Sequence, residues 1–351
     1  NTDVPAEATA VPTGVTLQVV GSGLAMPLVN ALVSASGITL PSQVTGTVSG
    51  ITEFCSGNAS AVAAPRVLTA AEEALCAQNG VVFGEALIGH SIAALIVAPG
   101  AAFSQCFSTA DLVTLFAPAA TANNWNQVDP TNPDTVLSVV LPPDTTPTYN
   151  AIDQIVEGDA LRIDTPSLAD EASVIDTVAN TPGAIGVVSL ESALAAGDRV
   201  SIAQMNSGTA GCVSPSAETA EAGTYPASLP ILVYYNLASG ADQIGVLTYA
   251  ASDAALSSAT EADFTFPTAD ARAELTAALT SGASGRLYSR VDTTFSISPS
   301  VAGAITIGGS ATGFSYINNL STAFTGTYTG VTSDISVTGE TAGARRFCNG
   351  E

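Results

Sequence analysis

Residues 45–57 read TGTVSGITEFCSG, and residues 338–350 read TGETAGARRFCNG. Thr45, Gly46, Gly50, Phe54, Cys55 and Gly57 return in register, without a gap, as Thr338, Gly339, Gly343, Phe347, Cys348 and Gly350. Upstream, VTLQVVGSG (15–23) is echoed by AITIGGSA (304–311). The connecting segment is 24 residues from Gly21 to Thr45 and 29 from Gly309 to Thr338, so the second copy carries five more. Two copies of a β-loop-α-β-α opening imply one complete domain followed by the start of another.

Outward from that repeat, composition narrows the class. The chain has 351 residues, 46% hydrophobic and 11% charged, which describes a folded protein with room for one large or two ordinary domains. Eight cations, all Arg, face 31 acids for a net charge of −23. Such a surface repels nucleic acid and anionic lipid, and both are excluded as partners. A small anion is not excluded, because neutral N–H and O–H donors in a closed cleft can hold one. Five cysteines without a CxxC pair, beside a single His, point to disulfides rather than a metal or haem site, and no cofactor is expected. Residues 1–14 form a polar, Pro-containing leader without the marks of a signal peptide, and no apolar run is long enough to span a membrane. The expected location is extracellular or at the cell surface, with any signal peptide already removed.

Periodicity orders the elements. VTLQVV (15–20) reads as a strand, turned by Gly21–Gly23 into a helix over 24–36. A second strand leads to Thr45, and 49–55 reads as a short helix capped by Ser49. Further strands are expected at 60–65, 81–99, 135–141, 182–190 and 229–237. Capped or amphipathic helices are expected at 69–80, 108–118, 147–157, 167–180, 241–256 and 268–281. Alternation throughout predicts an α/β fold with parallel sheets.

These motifs in this order resemble the phosphate-binding proteins of bacterial ABC importers. The most specific are the WNQVDP loop (125–130), PGAIGVVSL (182–190) and YPASLPILVYY (225–235). The resemblance covers 15 to about 290 and implies a type II periplasmic-binding fold of two α/β lobes joined by crossing strands. It places lobe 1 at 15–98 and 225–297 and lobe 2 at 99–224, while the internal repeat places the start of an incomplete second copy at 298–351. Carried over one residue at a time, the family's anion site is degraded. Ala25 and Met26 stand where a Thr and a Phe are expected, and Ser60 stands for the Asp that accepts the proton of hydrogenphosphate. LPPDTTPTYN (141–150) replaces an Arg-x-x-x-Ser-Gly-Thr stretch. The remaining candidates for an inherited anion cleft are Ser22, Gly23, Thr47, Ser49, Gly50, Arg66, Thr145 and Thr146, either threonine serving as cap to a helix starting at Pro147. The pairings expected on this architecture are Cys55–Cys76, between the TGTVSG helix and the next, and Cys106–Cys212, closing lobe 2. Cys348 is left unpaired.

No other constellation suggests catalysis. His90 lies on an apolar strand, GSGLAMP lacks a Walker lysine, Glu72 and Glu73 suit a helix first turn, and Trp125 suits packing of its own loop. With one His and no Ser/His/Asp or Cys/His order, an acyl-transfer enzyme is not expected. Two functions remain: an oxyanion-binding receptor for an ABC importer, or a structural module of a surface layer, sheath or filament. The degraded ligand positions, the repeat and the Lys-free composition favour the assembly role, with 304–351 as the point of self-association or tandem contact. The same substitutions predict that phosphate is not bound tightly.

Overall fold

Thr69 and Ser108 each start a helix by reciprocal bonding. The Thr69 hydroxyl accepts from the Glu72 amide at 3.3 Å while the Glu72 carboxylate accepts from the Thr69 amide at 2.7 Å. Ser108 and Asp111 repeat the arrangement at 3.2 and 2.7 Å. Orphan amides of a first turn are satisfied in this way, which is why both helix starts are legible locally. The computed structural model describes residues 17–101, 103, 106–156, 160–165, 167–208, 211–238, 240–288, 301–309 and 311–348. The chain divides into two compact units, 1–290 and 291–351.

The first unit begins with β1 (Val19–Gly21), α1 (Met26–Ser36), β2 (Ser42–Val44), α2 (Thr47–Cys55), β3 (Ala61–Ala64), α3 (Ala70–Gln78) and β4 (Phe83–Val97). Next come β5 (Cys106–Ser108), α4 (Thr109–Phe116), β6 (Ser138–Val140), α5 (Pro147–Val156), α6 (Glu171–Asn180), β7 (Ala184–Ser189) and α7 (Leu190–Ala196). The return half holds β8 (Ser201–Ile202), β9 (Gln204–Asn206), β10 (Cys212–Val213), α8 (Ala217–Glu221) and β11 (Ser228–Asn236). It closes with α9 (Ala241–Ala250), α10 (Leu256–Glu261) and α11 (Ala269–Ser281). The helix expected over 241–256 is therefore broken, by a 3₁₀ turn at Asp253–Ala255.

The main sheet runs β2-β1-β3-β11-β4-β7-β6, with β8 also on β4. It is mixed, not parallel. β1 pairs in parallel with β2 and β3, and β6 with β7, but β11 lies antiparallel between β3 and β4, and β7 and β8 are antiparallel to β4. Helical connections set the parallel pairs, whereas the long strands that cross between lobes return in the opposite sense. β4 is buried at every position after Phe83. It pairs with β11 from Phe83 to Ile92 and with β7 from Ala93 to Val97, so one strand passes from one core to the next.

The second core takes in Ile92–Val97, Leu112, Phe116, Trp125 and Ile185, and so reaches further back along β4 than residue 99. Around the other lobe, alternation sorts neighbours to opposite faces: Val19, Ala61 and Ile231 face α1 and α9, whereas Val20, Val62 and Leu232 face α2 and α3. Cys55 is joined to Cys76 and Cys106 to Cys212, with Cα separations of 4.1 and 5.9 Å. Trp125 does more than pack its own loop. It is fully buried, stacks on Phe103 at 3.6 Å and donates its indole N–H to the Gly183 carbonyl at 2.9 Å.

The start of α2 departs from expectation. It opens at Thr47, with Gly46 at φ 88° as the N-cap and no side-chain cap, while Ser49 is exposed inside the helix. A left-handed glycine makes the sharp entry, and the Thr45 and Gly46 amides both bond to the Gly21 carbonyl at 3.0 Å. α2 then lies so close to β1 that a Cβ on Gly50 would meet Gly21 Cα at 2.8 Å and Thr45 Oγ1 at 2.9 Å.

The second unit contains β12 (Gly303–Gly309), α12 (Ala311–Thr327), β13 (Val331–Val337) and α13 (Glu340–Cys348), with β12 and β13 parallel. Its turn repeats that of the first unit in detail. Gly339 has φ 80°, the Gly343 amide bonds to the Gly339 carbonyl at 2.9 Å as Gly50 does to Gly46, and a Cβ on Gly343 would meet Thr338 Oγ1 at 2.9 Å. Gly309 pairs with Val337 as Gly21 pairs with Val44. Cys348 is exposed and carries a free thiol.

Candidate functional site

Between the lobes of the first unit lies a cavity of about 520 Å³, within the range of small-ligand sites. The second lobe lines it with the start of α5 (Thr146–Thr148), the start of α6 (Asp170, Glu171) and the residues around α7 (Ser189, Ser192). Pro27, at the start of α1, and Ala262–Phe264 face them from the first lobe.

Each wall follows from local chemistry. Pro147 opens α5 because its missing amide is no loss in a first turn, and Thr146 caps that turn by accepting from the Tyr149 amide at 3.3 Å. Asp170 caps α6 by accepting from the Ser173 amide at 2.7 Å, and the Ser173 hydroxyl, with that amide, holds its carboxyl below the usual range. Ser189 caps α7, its hydroxyl accepting from the Ser192 amide at 3.1 Å. Asp263 has φ 62°, the one positive value for a non-glycine among the described residues. Its carboxylate accepts from the Ser192 hydroxyl at 3.3 Å, a contact made between the lobes.

Electrostatically the cavity is acidic. Burial, reinforced by the charge of Glu171, pushes the Asp263 carboxyl up, and burial likewise raises neighbouring Glu191. Glu171 accepts three bonds: from Thr148 Oγ1 at 3.2 Å, the Ser189 amide at 2.9 Å and Ser189 Oγ at 2.7 Å. No arginine lines the cavity. Five arginines of this unit are held in ion pairs elsewhere: Arg66–Glu72, Arg162–Asp164, Arg199–Asp176, Arg272–Asp253 and Arg286–Glu73.

Of the residues singled out from the sequence, Thr146 alone lines this cavity. Thr145 is exposed one residue earlier. Ser22 is buried and accepts from the Leu24 amide at 3.2 Å, Gly23 and Ser49 are exposed, Thr47 is half-buried, and Gly50 serves the approach of α2 to β1. Arg66 grips Glu72 through two bonds of 2.8 and 2.9 Å, so Glu72 does more than serve its helix dipole. Bonding to Arg66 brings the Glu72 carboxyl down to about 2. Ser60 ties β1 to β3, its hydroxyl bonding to the Gln18 carbonyl at 2.8 Å and accepting from the Gln18 amide at 3.0 Å.

Sequence reasoning missed Thr148, Glu171, Ser189, Ser192 and Asp263. The one local signal, Asp170-Glu171 at the start of α6, reads as an ordinary helix start. His90 is buried where the lobes cross, its imidazole 3.7 Å from Glu221, beyond hydrogen-bond reach. Glu221 in turn accepts from the Thr268 amide and hydroxyl at 2.8 and 2.6 Å, joining α8 to the cap of α11. The Glu221–Thr268 pair is a structural bridge, with His90 packed beside it. Among the described residues no cluster of His, Cys, Asp and Glu is arranged to hold a metal.

Two lobes, a strand crossing between them and a cleft at helix starts define a two-lobed binding protein of the periplasmic type. The chain belongs to the PBP superfamily, whose domain model matches residues 4–254. Protein SphX of Synechocystis sp. is 27% identical over 235 residues, 63% of this chain and 69% of that protein. Among solved structures, a possible phosphate binding protein from Planctomyces limnophilus superposes with a TM-score of 0.69 at 19% identity, covering 76% of this chain and 98% of its own. PstS from Borrelia burgdorferi follows with a TM-score of 0.56 at 16% identity, covering 72% and 98%. An ABC-type phosphate transport receptor from Vibrio cholerae gives 0.53 at 17%, covering 71% and 100%. The resemblance to phosphate-binding proteins thus stands, and the fold is theirs. No helix among the described residues is long and apolar enough to cross a membrane.

Proposed function

We propose that this protein is a non-enzymatic, extracytoplasmic receptor that takes a small oxyanion of the phosphate class between its lobes. The observation that carries the reading is the inter-lobe cavity, where Thr146, Thr148, Ser189 and Ser192 bring hydroxyls to one wall. Family membership and the names of the solved neighbours support the same class of ligand. The acidic lining argues for an anion that brings its own protons. Hydrogenphosphate donates a P–OH to a carboxylate, whereas sulfate at neutral pH has nothing to donate and meets only repulsion. The missing Arg-x-x-x-Ser-Gly-Thr stretch would remove charge-assisted contacts worth about 1.5–3 kcal/mol each, so phosphate affinity weaker than about 1 µM is expected. Isothermal titration of the purified chain tests this. Measurable phosphate binding with no sulfate binding is expected; a chain that takes up neither anion at millimolar concentration refutes the receptor role, and sub-micromolar phosphate affinity refutes the degraded site.

A second reading, a tandem or assembly module, draws on one observation: the matching glycine turn at Gly50 and Gly343. On this reading residues 301–348 are the opening of a second copy and serve as a point of connection. Negative-stain microscopy with native mass measurement decides it, higher-order species being expected and a monodisperse 34.9 kDa monomer excluding it.

A further inference from the structure

We propose that Glu171 is a tethered competitor of the ligand, an internal carboxylate seated on donors that the second lobe would otherwise offer to a bound oxyanion. The inference rests on the receptor reading above and names what sets its affinity.

Glu171 is the first residue of α6, yet its carboxylate is not spent on its own helix. Oε1 accepts from the Ser189 amide at 2.9 Å and from Thr148 Oγ1 at 3.2 Å, and Oε2 accepts from Ser189 Oγ at 2.7 Å. Both carboxylate oxygens are thus engaged, by a backbone donor and two hydroxyls lying 18 and 23 residues away in the chain. Thr148 Oγ1 is also 3.2 Å from Thr146 Oγ1, but a hydroxyl has one proton, and the charged acceptor is the stronger. All three partners line the inter-lobe cavity, as Glu171 does.

Donors of this kind, a main-chain N–H beside two hydroxyls, suit any oxyanion. An incoming phosphate must either displace the carboxylate or bind beside its charge. Asp263 faces it from the first lobe, and burial, with the charge of Glu171 added, pushes its carboxyl up, in keeping with a negative potential across the cleft. Removing Glu171 therefore does two things in the same direction: it frees the donors and removes the repulsion.

Phosphate and sulfate titrations at pH 7 on the wild-type chain, Glu171→Ala and Glu171→Gln test the idea. Glu171→Ala is expected to gain at least tenfold in phosphate affinity and to acquire sulfate binding, because the discrimination against an unprotonated anion goes with the charge. Glu171→Gln keeps the volume and loses the charge, and serves if the alanine variant melts early; a gain of about threefold or more is expected. Adding Thr148→Val to the alanine variant is expected to cancel part of the gain, since one freed donor is lost. A wild type that binds phosphate and variants that bind it equally or more weakly overturn the competition and leave the receptor reading intact. A wild type that binds none, beside a Glu171→Ala chain that does, supports the competition and overturns the receptor reading. No binding by any of the chains overturns both.

Discussion

Gln243 is 1% exposed, and neither its amide nitrogen nor its amide oxygen has a hydrogen-bond partner. It borders a cavity of about 20 Å³ among Val29, Leu32, Ile88 and Leu247, room for a single water. Burying an amide without partners costs more than its packing returns, so Gln243→Met, of similar shape, is expected to stabilise the first unit by about 1–2 kcal/mol. Thermal unfolding checks this, and a lowered Tm would show that a bound water satisfies the amide. Glu72 supplies a second prediction at this scale. Arg66 brings its carboxyl from 4.5 down to about 2, so its contribution is present above the unfolded value and lost as pH falls towards 2. Stability measured between pH 5 and 2 is expected to fall less steeply in Glu72→Gln than in the wild type. Because the pair is largely solvent-screened, the difference will be small.

Among elements, the contact of α2 with β1 depends on the absence of a side chain. Gly50→Ala places a methyl 2.8 Å from Gly21 Cα, where two backbones must separate. A loss of about 1–3 kcal/mol is expected in chemical denaturation. Gly343→Ala is expected to disturb the second unit in the same way, since its Cβ meets Thr338 Oγ1 at 2.9 Å and the Gly308 carbonyl at 3.1 Å. Hydrogen exchange resolves the two, with Gly50→Ala raising exchange in β1 and α2 and Gly343→Ala raising it in β12 and α13. Equal protection in the wild type and the variant would mean that the close approach is not what holds these helices.

For the molecule as a whole, the acidic cleft ties ligand affinity to pH. Burial, with the charge of Glu171 added, raises the Asp263 carboxyl, so it takes up its proton at a higher pH than an ordinary carboxyl. As pH falls, the cleft therefore starts to lose negative charge earlier than ordinary carboxyls would, while phosphate itself gains a proton. Both changes favour binding, and phosphate affinity is expected to rise. Asp263→Asn, which tolerates the left-handed backbone at φ 62°, should remove the protein's share of the slope and leave that of phosphate. Titration calorimetry at three pH values measures it, and an affinity that falls on acidification would rule out carboxylate repulsion as the controlling effect.

What could be read along the chain is what neighbours in sequence decide. Caps at Thr69 and Ser108, the alternation at Val19–Val20 and the repeated TG turn are each set within a few residues. They carried the α/β class and the order of elements; the two-lobed fold was implied by the resemblance of the ordered motifs to phosphate-binding proteins. The cap of α2 was misplaced because Gly46 makes the turn without a side chain, and the sheet was misjudged because the sense in which β11 returns is set by the crossing of the lobes. The cleft was misread for a related reason. A family pattern points to positions, but Arg66 is drawn away by Glu72 six residues on, and Glu171 is drawn in by Ser189 from 18 residues away. Asp263 comes from the opposite lobe to bond Ser192 across 71 residues. A carboxylate takes whichever donors packing brings within about 3 Å. Short-range periodicity carries no information about which those are, so the charge of the cleft was decided only when the lobes had folded around it.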